Sequence, residues 1–131
     1  MIKKLSLLFL TVIAIILEAL PFGAVLNFAN PDGEPWRKTF SYFSLTPFGY
    51  ANFAPLLTAL LTCILLVLVI VSLFLKKSVK IPLICISILA TVLSLIPLCQ
   101  GTNYFSIVGA LIFFVLLFFT AVCFFSERKN K

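Results

Sequence analysis

The sequence predicts an all-α integral membrane fold, a four-helix bundle that runs up, down, up and down through the bilayer. Three observations carry that prediction. Hydrophobic residues make up 63% of the 131 positions and charged residues only 11%, against ~45–50% and ~25% in soluble domains. Four stretches, 5–26, 55–75, 81–99 and 105–125, are mostly apolar and near the ~20 residues that a helix needs to cross hydrocarbon. Eight of the ten cationic side chains also fall on one side of such a path. A soluble chain could not cover its surface with so few polar groups. A disordered chain is polar and poor in aromatics, whereas this one has 15 Phe.

The first span follows Lys3 and Lys4. That pair and the apolar run after it also suit a secretory signal. Glu18, Pro21 and Phe22 make a poor cleavage context, however, and the run continues to Leu26, so 5–26 is read as a span. Cleavage would leave three spans with unchanged orientation. The segments are too long and uniformly apolar for barrel strands, so backbone satisfaction in lipid requires helices. Pro55 and Pro82 fall in first turns, where a missing N–H costs nothing, and Gly101 follows the third span at a C-cap position. The expected organisation is a single membrane domain over 1–131.

Orientation comes from the ten Lys and Arg. Lys3, Lys4, Lys76, Lys77, Lys80, Arg128, Lys129 and Lys131 share one side of the four-span path, and only Arg37 and Lys38 lie on the other. Cations near span ends stay cytoplasmic, so both termini are expected inside a cell membrane, with the 27–54 loop outside. Trp36, Tyr42, Tyr50 and Tyr104 all fall on the outer side, where such rings sit at headgroup level.

The outer loop is long and aromatic. Asn30-Pro31-Asp32-Gly33 has turn composition, and Glu34-Pro35 reads as a helix start with acids at the positive end of the dipole. Over 35–44, Trp36, Phe40 and Phe43 share a narrow helical arc opposed by Lys38. The prediction is a short interfacial helix, with Trp36, Phe40 and Phe43 as anchors turned toward membrane or bundle. The alternative is an extended hairpin, on the partial alternation of Phe40, Tyr42, Leu45 and Pro47. Such a loop would plug the outer end of the bundle, or serve as a lid or docking surface.

The wording E-A-L-P-F-G at 18–23, N-P-D-G at 30–33 and S-Y-F-S-L-T-P-F-G-Y-A-N-F at 41–53 resembles small four-span bacterial membrane proteins of unassigned function. The resemblance covers roughly residues 18–60. It implies the same four-span fold and brings no catalytic or binding residues.

Chemistry is sparse. There is no histidine, hence no imidazole base or ligand. The four acids are Glu18, Asp32, Glu34 and Glu127, of which only Glu18 lies in a span. No phosphate-cradling glycine loop, G-x-S-x-G or H-E-x-x-H pattern occurs. Cys63, Cys85, Cys99 and Cys123 form no C-x-x-C and read as small apolar fillers rather than a thiol–disulfide centre. No enzyme activity, metal or cofactor is expected. The net charge of +6 suits topology and anionic lipid better than nucleic acid.

Small and hydroxyl residues mark contact faces between membrane helices. Thr11, Ala14 and Glu18 share a face of the first span, Thr58 and Thr62 of the second, and Ser87, Thr91 and Ser94 of the third. Ser106, Gly109 and Ala110 mark the outer end of the fourth. At a rise of ~1.5 Å per residue, Glu18, Thr62, Thr91 and Ser94 share a level in the outer half and form the candidate polar cluster. Ordinary bundle packing explains the small-residue faces. Glu18 is expected to turn inward, toward a hydroxyl in preference to Arg37 or Lys38, because a charge in a span faces the bundle interior. The expected role is a non-enzymatic accessory or partner-binding subunit, touching lipid and a lateral membrane partner or a second copy. The alternative is a small transporter or channel component, with Glu18 lining an outer vestibule.

Overall fold

The computed structural model describes residues 2–28, 31, 33, 36–44, 53–75, 79–100 and 106–128. Among the described residues six elements follow one another: α1 (Ile2–Ala19), β1 (Ala24–Phe28), β2 (Trp36–Phe40), α2 (Ala54–Phe74), α3 (Lys80–Gln100) and α4 (Ile107–Arg128). Three of the helices contain stretches long and apolar enough to cross a membrane, Ala54–Phe74, Lys80–Cys99 and Ile107–Phe125. They coincide closely with the predicted spans. Pro55 and Pro82 sit in the first turns of α2 and α3, where the missing proline N–H is tolerated.

The four helices close a ring. α1 packs against α2 and α4, and α3 packs against the same two. Direction follows from three contacts. Lys4 at the start of α1 reaches the Ser72 carbonyl near the end of α2, while Glu18 at the end of α1 meets Thr62 in the first half of α2. Ser106, just ahead of α4, bonds the Gly23 carbonyl just beyond α1. Hence α1 runs opposite to both neighbours. The core between the helices contains Ala14, Ala59, Leu65, Val69, Ala90, Ile112, Leu116 and Phe119. Alanines at 14, 59 and 90 let the helix backbones approach closely, as packing in lipid demands.

Two expectations are corrected here. The first span does not stay helical to Leu26, because α1 ends at Ala19 and residues 24–28 are a strand. Pro21 offers no N–H and disfavours helical Leu20. The Leu17 carbonyl instead accepts the Leu20 N–H at 3.3 Å in a closing turn. The predicted interfacial helix over 35–44 is also absent. Trp36–Phe40 forms β2, antiparallel to β1, with Ala24 opposite Phe40, Val25 opposite Thr39 and Phe28 opposite Trp36. A helix of two and a half turns is marginal by itself, whereas the two strands satisfy each other's backbone groups. The pairing also needed the first helix to stop early.

Several sequence expectations lie outside the described residues. These are Asn30 and Asp32 of the turn, the Glu34-Pro35 helix start, residues 45–52 with Tyr50, Lys76 and Lys77, Gly101, Tyr104, Lys129 and Lys131, and the side chains of Lys3, Trp36, Arg37 and Arg128.

Candidate functional site

The early end of α1 creates the site. Thr62 lies ~12 Å along α2 from Ala54 at the helical rise, and Glu18 stands opposite it, one residue before α1 stops. Toward its start, α2 therefore extends past a gap that α1 leaves. The foot of the hairpin fills that gap. Ala24, Val25 and Tyr42 are all buried, and Ala24 and Tyr42 belong to the helix core. Tyr42 N–H donates to the Glu18 carbonyl at 2.8 Å, supplying a donor that the helix no longer provides. Phe40 and Phe43 are half-buried against the same core, so two of the three predicted anchors turn toward the bundle. Tyr42, expected at headgroup level, is 1% exposed.

Glu18 is 0% exposed. The Thr62 hydroxyl lies 2.7 Å from its Oε1, and also 2.8 Å from the Thr58 carbonyl oxygen, an acceptor one turn back on α2. The other carboxyl oxygen, Oε2, is buried without a hydrogen-bond partner among the described residues. No described cation pairs with it, and Lys38 is exposed. An acid with one hydroxyl contact and one orphan oxygen is a costly thing to bury.

The rest of the predicted cluster is buried but separate. Thr91 donates to the Ser87 carbonyl at 2.7 Å and lies 3.4 Å from Thr120 Oγ1 on α4. Ser94 donates to the Thr91 carbonyl at 2.6 Å. Both are satisfied within their own helix, a role open to any hydroxyl on a packed face. α3 is not among the helices that α1 packs against closely, which leaves Glu18 and Thr62 as the pair.

Three neighbours escaped sequence reasoning as parts of the site. Tyr42 covers it at the end of α1. Gly23 makes room for that ring, since a Cβ there would stand 2.8 Å from Tyr42 Cδ1 and 2.9 Å from Cε1. Ser106 bonds the Gly23 carbonyl at 2.6 Å and accepts the Gly109 N–H at 2.8 Å, so it caps α4 and tethers the segment after α1 together. The signal for Gly23 was its place just after Pro21, where a chain reversal needs a close approach.

Comparison with family models, curated proteins and solved structures gives no match. Among the described residues, no three His, Cys, Asp or Glu side chains gather into a metal site, and the described cysteines are free thiols. What the arrangement offers chemically is one buried carboxyl, one hydroxyl touching it and a tyrosine packed over the end of α1.

Proposed function

We propose that the chain is a four-span protein of the cell membrane, with both termini cytoplasmic, that acts as a non-enzymatic accessory or partner-binding subunit. The observation that supports this is the division of side chains around the ring. Thr11, Glu18, Thr58, Thr62, Ser87 and Ser94 are turned inward. Outward faces carry Leu57, Leu60, Ile64 and Val67 on α2, Ile88 and Val92 on α3, and Phe114, Leu117 and Phe118 on α4. α1 behaves in the same way, with Leu5, Phe9, Val12 and Ile16 exposed, which argues for a fourth span despite its three charges. Its 18 residues extend ~27 Å, close to the ~30 Å hydrocarbon thickness. A molecule with such walls meets other proteins laterally, within the membrane.

Reporter fusions at Lys77, Asn103 and Lys131 test the topology, with inside, outside and inside expected. An outside signal at Lys77 overturns it. A photocrosslinker at Leu60 or Phe118, in the native membrane, tests the role. A defined crosslinked product, either a second protein or a second copy, supports it, and crosslinks to lipid alone overturn it.

A second reading, a small transporter or channel component, is favoured by one observation, the buried Glu18 carboxyl. Ion or proton flux through the reconstituted protein, lost in Glu18→Gln, is its test.

A further inference from the structure

Proton counting at Thr62 reaches further than either reading. Its hydroxyl carries one hydrogen, yet Oγ1 stands within bonding distance of two oxygens, Glu18 Oε1 at 2.7 Å and the Thr58 carbonyl at 2.8 Å. If Glu18 were a carboxylate, both neighbours would be pure acceptors competing for that single proton. That proton would then be shared in a three-centre bond, as the Thr11 hydroxyl shares its own between the Leu7 and Leu8 carbonyls at 2.8 and 2.9 Å. Unlike a carbonyl, however, Glu18 can carry a proton of its own, and its full burial with an unpartnered Oε2 favours that form; each short contact then has its own hydrogen.

We propose that Glu18 and Thr62 form a closed proton-binding site. The Glu18 carboxyl holds the proton and donates it to Thr62 Oγ1, and Thr62 donates in turn to the Thr58 carbonyl. Each hydrogen then has one acceptor, and the chain ends on a backbone oxygen. The orphan Oε2 fits the same assignment. It becomes the carbonyl oxygen of a neutral acid, far cheaper to leave unpaired than an ionised oxygen. No described cation competes for it, since the Lys4 ammonium sits at the far end of α1, ~21 Å away at the helical rise. The titratable groups that face Glu18 are Tyr42 from the segment after β2 and Cys63 from α2. α4 places its Cys123 toward the opposite end, because its start lies beside Gly23. Closure comes from Tyr42, whose ring seats on Gly23 while its N–H ties down the end of α1.

The inference rests on neither functional reading and is measured without flux or partner. The chain has three glutamates, Glu18, Glu34 and Glu127. Protein labelled with carbon-13 at the glutamate carboxyl and reconstituted in lipid is expected to show three signals. At pH 7 one of them should have the shift of a protonated acid, and it should vanish in Glu18→Gln. Three ionised signals in the folded wild-type protein would overturn the assignment, with no variant needed. Closure is read separately, by the rate at which a water-soluble carbodiimide modifies Glu18. Tyr42→Ala should speed that reaction, and if this variant does not fold, G23A, which pushes the ring from its seat, should do the same. Equal rates in wild type and the folded variant would overturn the closure.

Discussion

The Tyr42 ring rests against Gly23 so closely that even one added carbon would stand 2.8 Å from it. Glycine is needed here for room. An alanine would meet a ring that is itself buried against Ala24 and the helix core, so the ring makes room only by giving up part of that packing. G23A is expected to destabilise the protein by roughly 1–3 kcal/mol, the usual cost of overpacking. Denaturant titration in bicelles checks this. G23A combined with Tyr42→Ala should cost less than the two single losses summed, because removing the ring removes the clash.

Much of the helical part of this fold was legible, because lipid leaves little choice. α2, α3 and α4 begin and end within a few residues of the apolar stretches, and the proline positions mark two starts. The buried faces were legible too, since Thr11, Ala14, Thr58, Thr62, Ser87 and Ser94 are all turned inward. The hairpin was not. The 5–26 stretch is apolar to its end, and hydropathy does not separate a helix from a strand at 24–28. Pro21 and Gly23 carried the stop signal, but it competes with a continuous apolar run. Once α1 stops at Ala19, Trp36–Phe40 acquires a strand partner that a reading of residues 35–44 by themselves could not supply. The Glu18–Thr62 pair was partly legible from depth and face. Its separation from Thr91 and Ser94 follows from the order of helices around the ring, which no single helix encodes.

Thr62 and Ser94 should therefore respond differently to loss of a hydroxyl. Thr62→Val keeps the shape of the side chain but leaves both oxygens of Glu18 without a partner. The expected cost is roughly 1–2 kcal/mol, with Thr62→Ser near wild type. Ser94 bonds only the Thr91 carbonyl of its own helix. Ser94→Ala should cost about 0.6 kcal/mol or less, the mean for side-chain hydrogen bonds within a membrane protein. Equal losses at the two positions, in the same unfolding assay, would return Ser94 to the site.

At the other end of the bundle, Lys4 Nζ donates to the Ser72 carbonyl at 2.6 Å. Ser72 lies in the last turn of α2, where carbonyls lack helical donors and the dipole is negative. The ammonium thus caps a neighbouring helix. Lys4→Met should destabilise by about 1 kcal/mol, since it leaves the carbonyl open and removes a favourable charge. Lys4→Arg keeps both charge and donor and should recover most of that loss. Faster hydrogen exchange at the end of α2, specific to Lys4→Met, is the local signature to measure.

Alkaline pH should expose the cap through Tyr42. Burial pushes its phenol above the ordinary tyrosine value, because a phenolate would be stranded among apolar side chains. In the unfolded chain the same phenol titrates near ~10. Below that pH both states hold the proton, and the stabilising contribution is complete. Above it, the unfolded state releases a proton that the folded state keeps. Stability then falls with rising pH until the folded phenol itself ionises. Other groups contribute to any single curve. The informative quantity is therefore the difference between wild type and Tyr42→Phe, which keeps the ring on Gly23 and lacks the ionisable group. That difference should be flat from pH 7 to about 9 and then move steadily against wild type above ~10. Parallel curves through pH 11 would mean that the phenol reaches water in the folded protein, and that Tyr42 does not seal the Glu18 site.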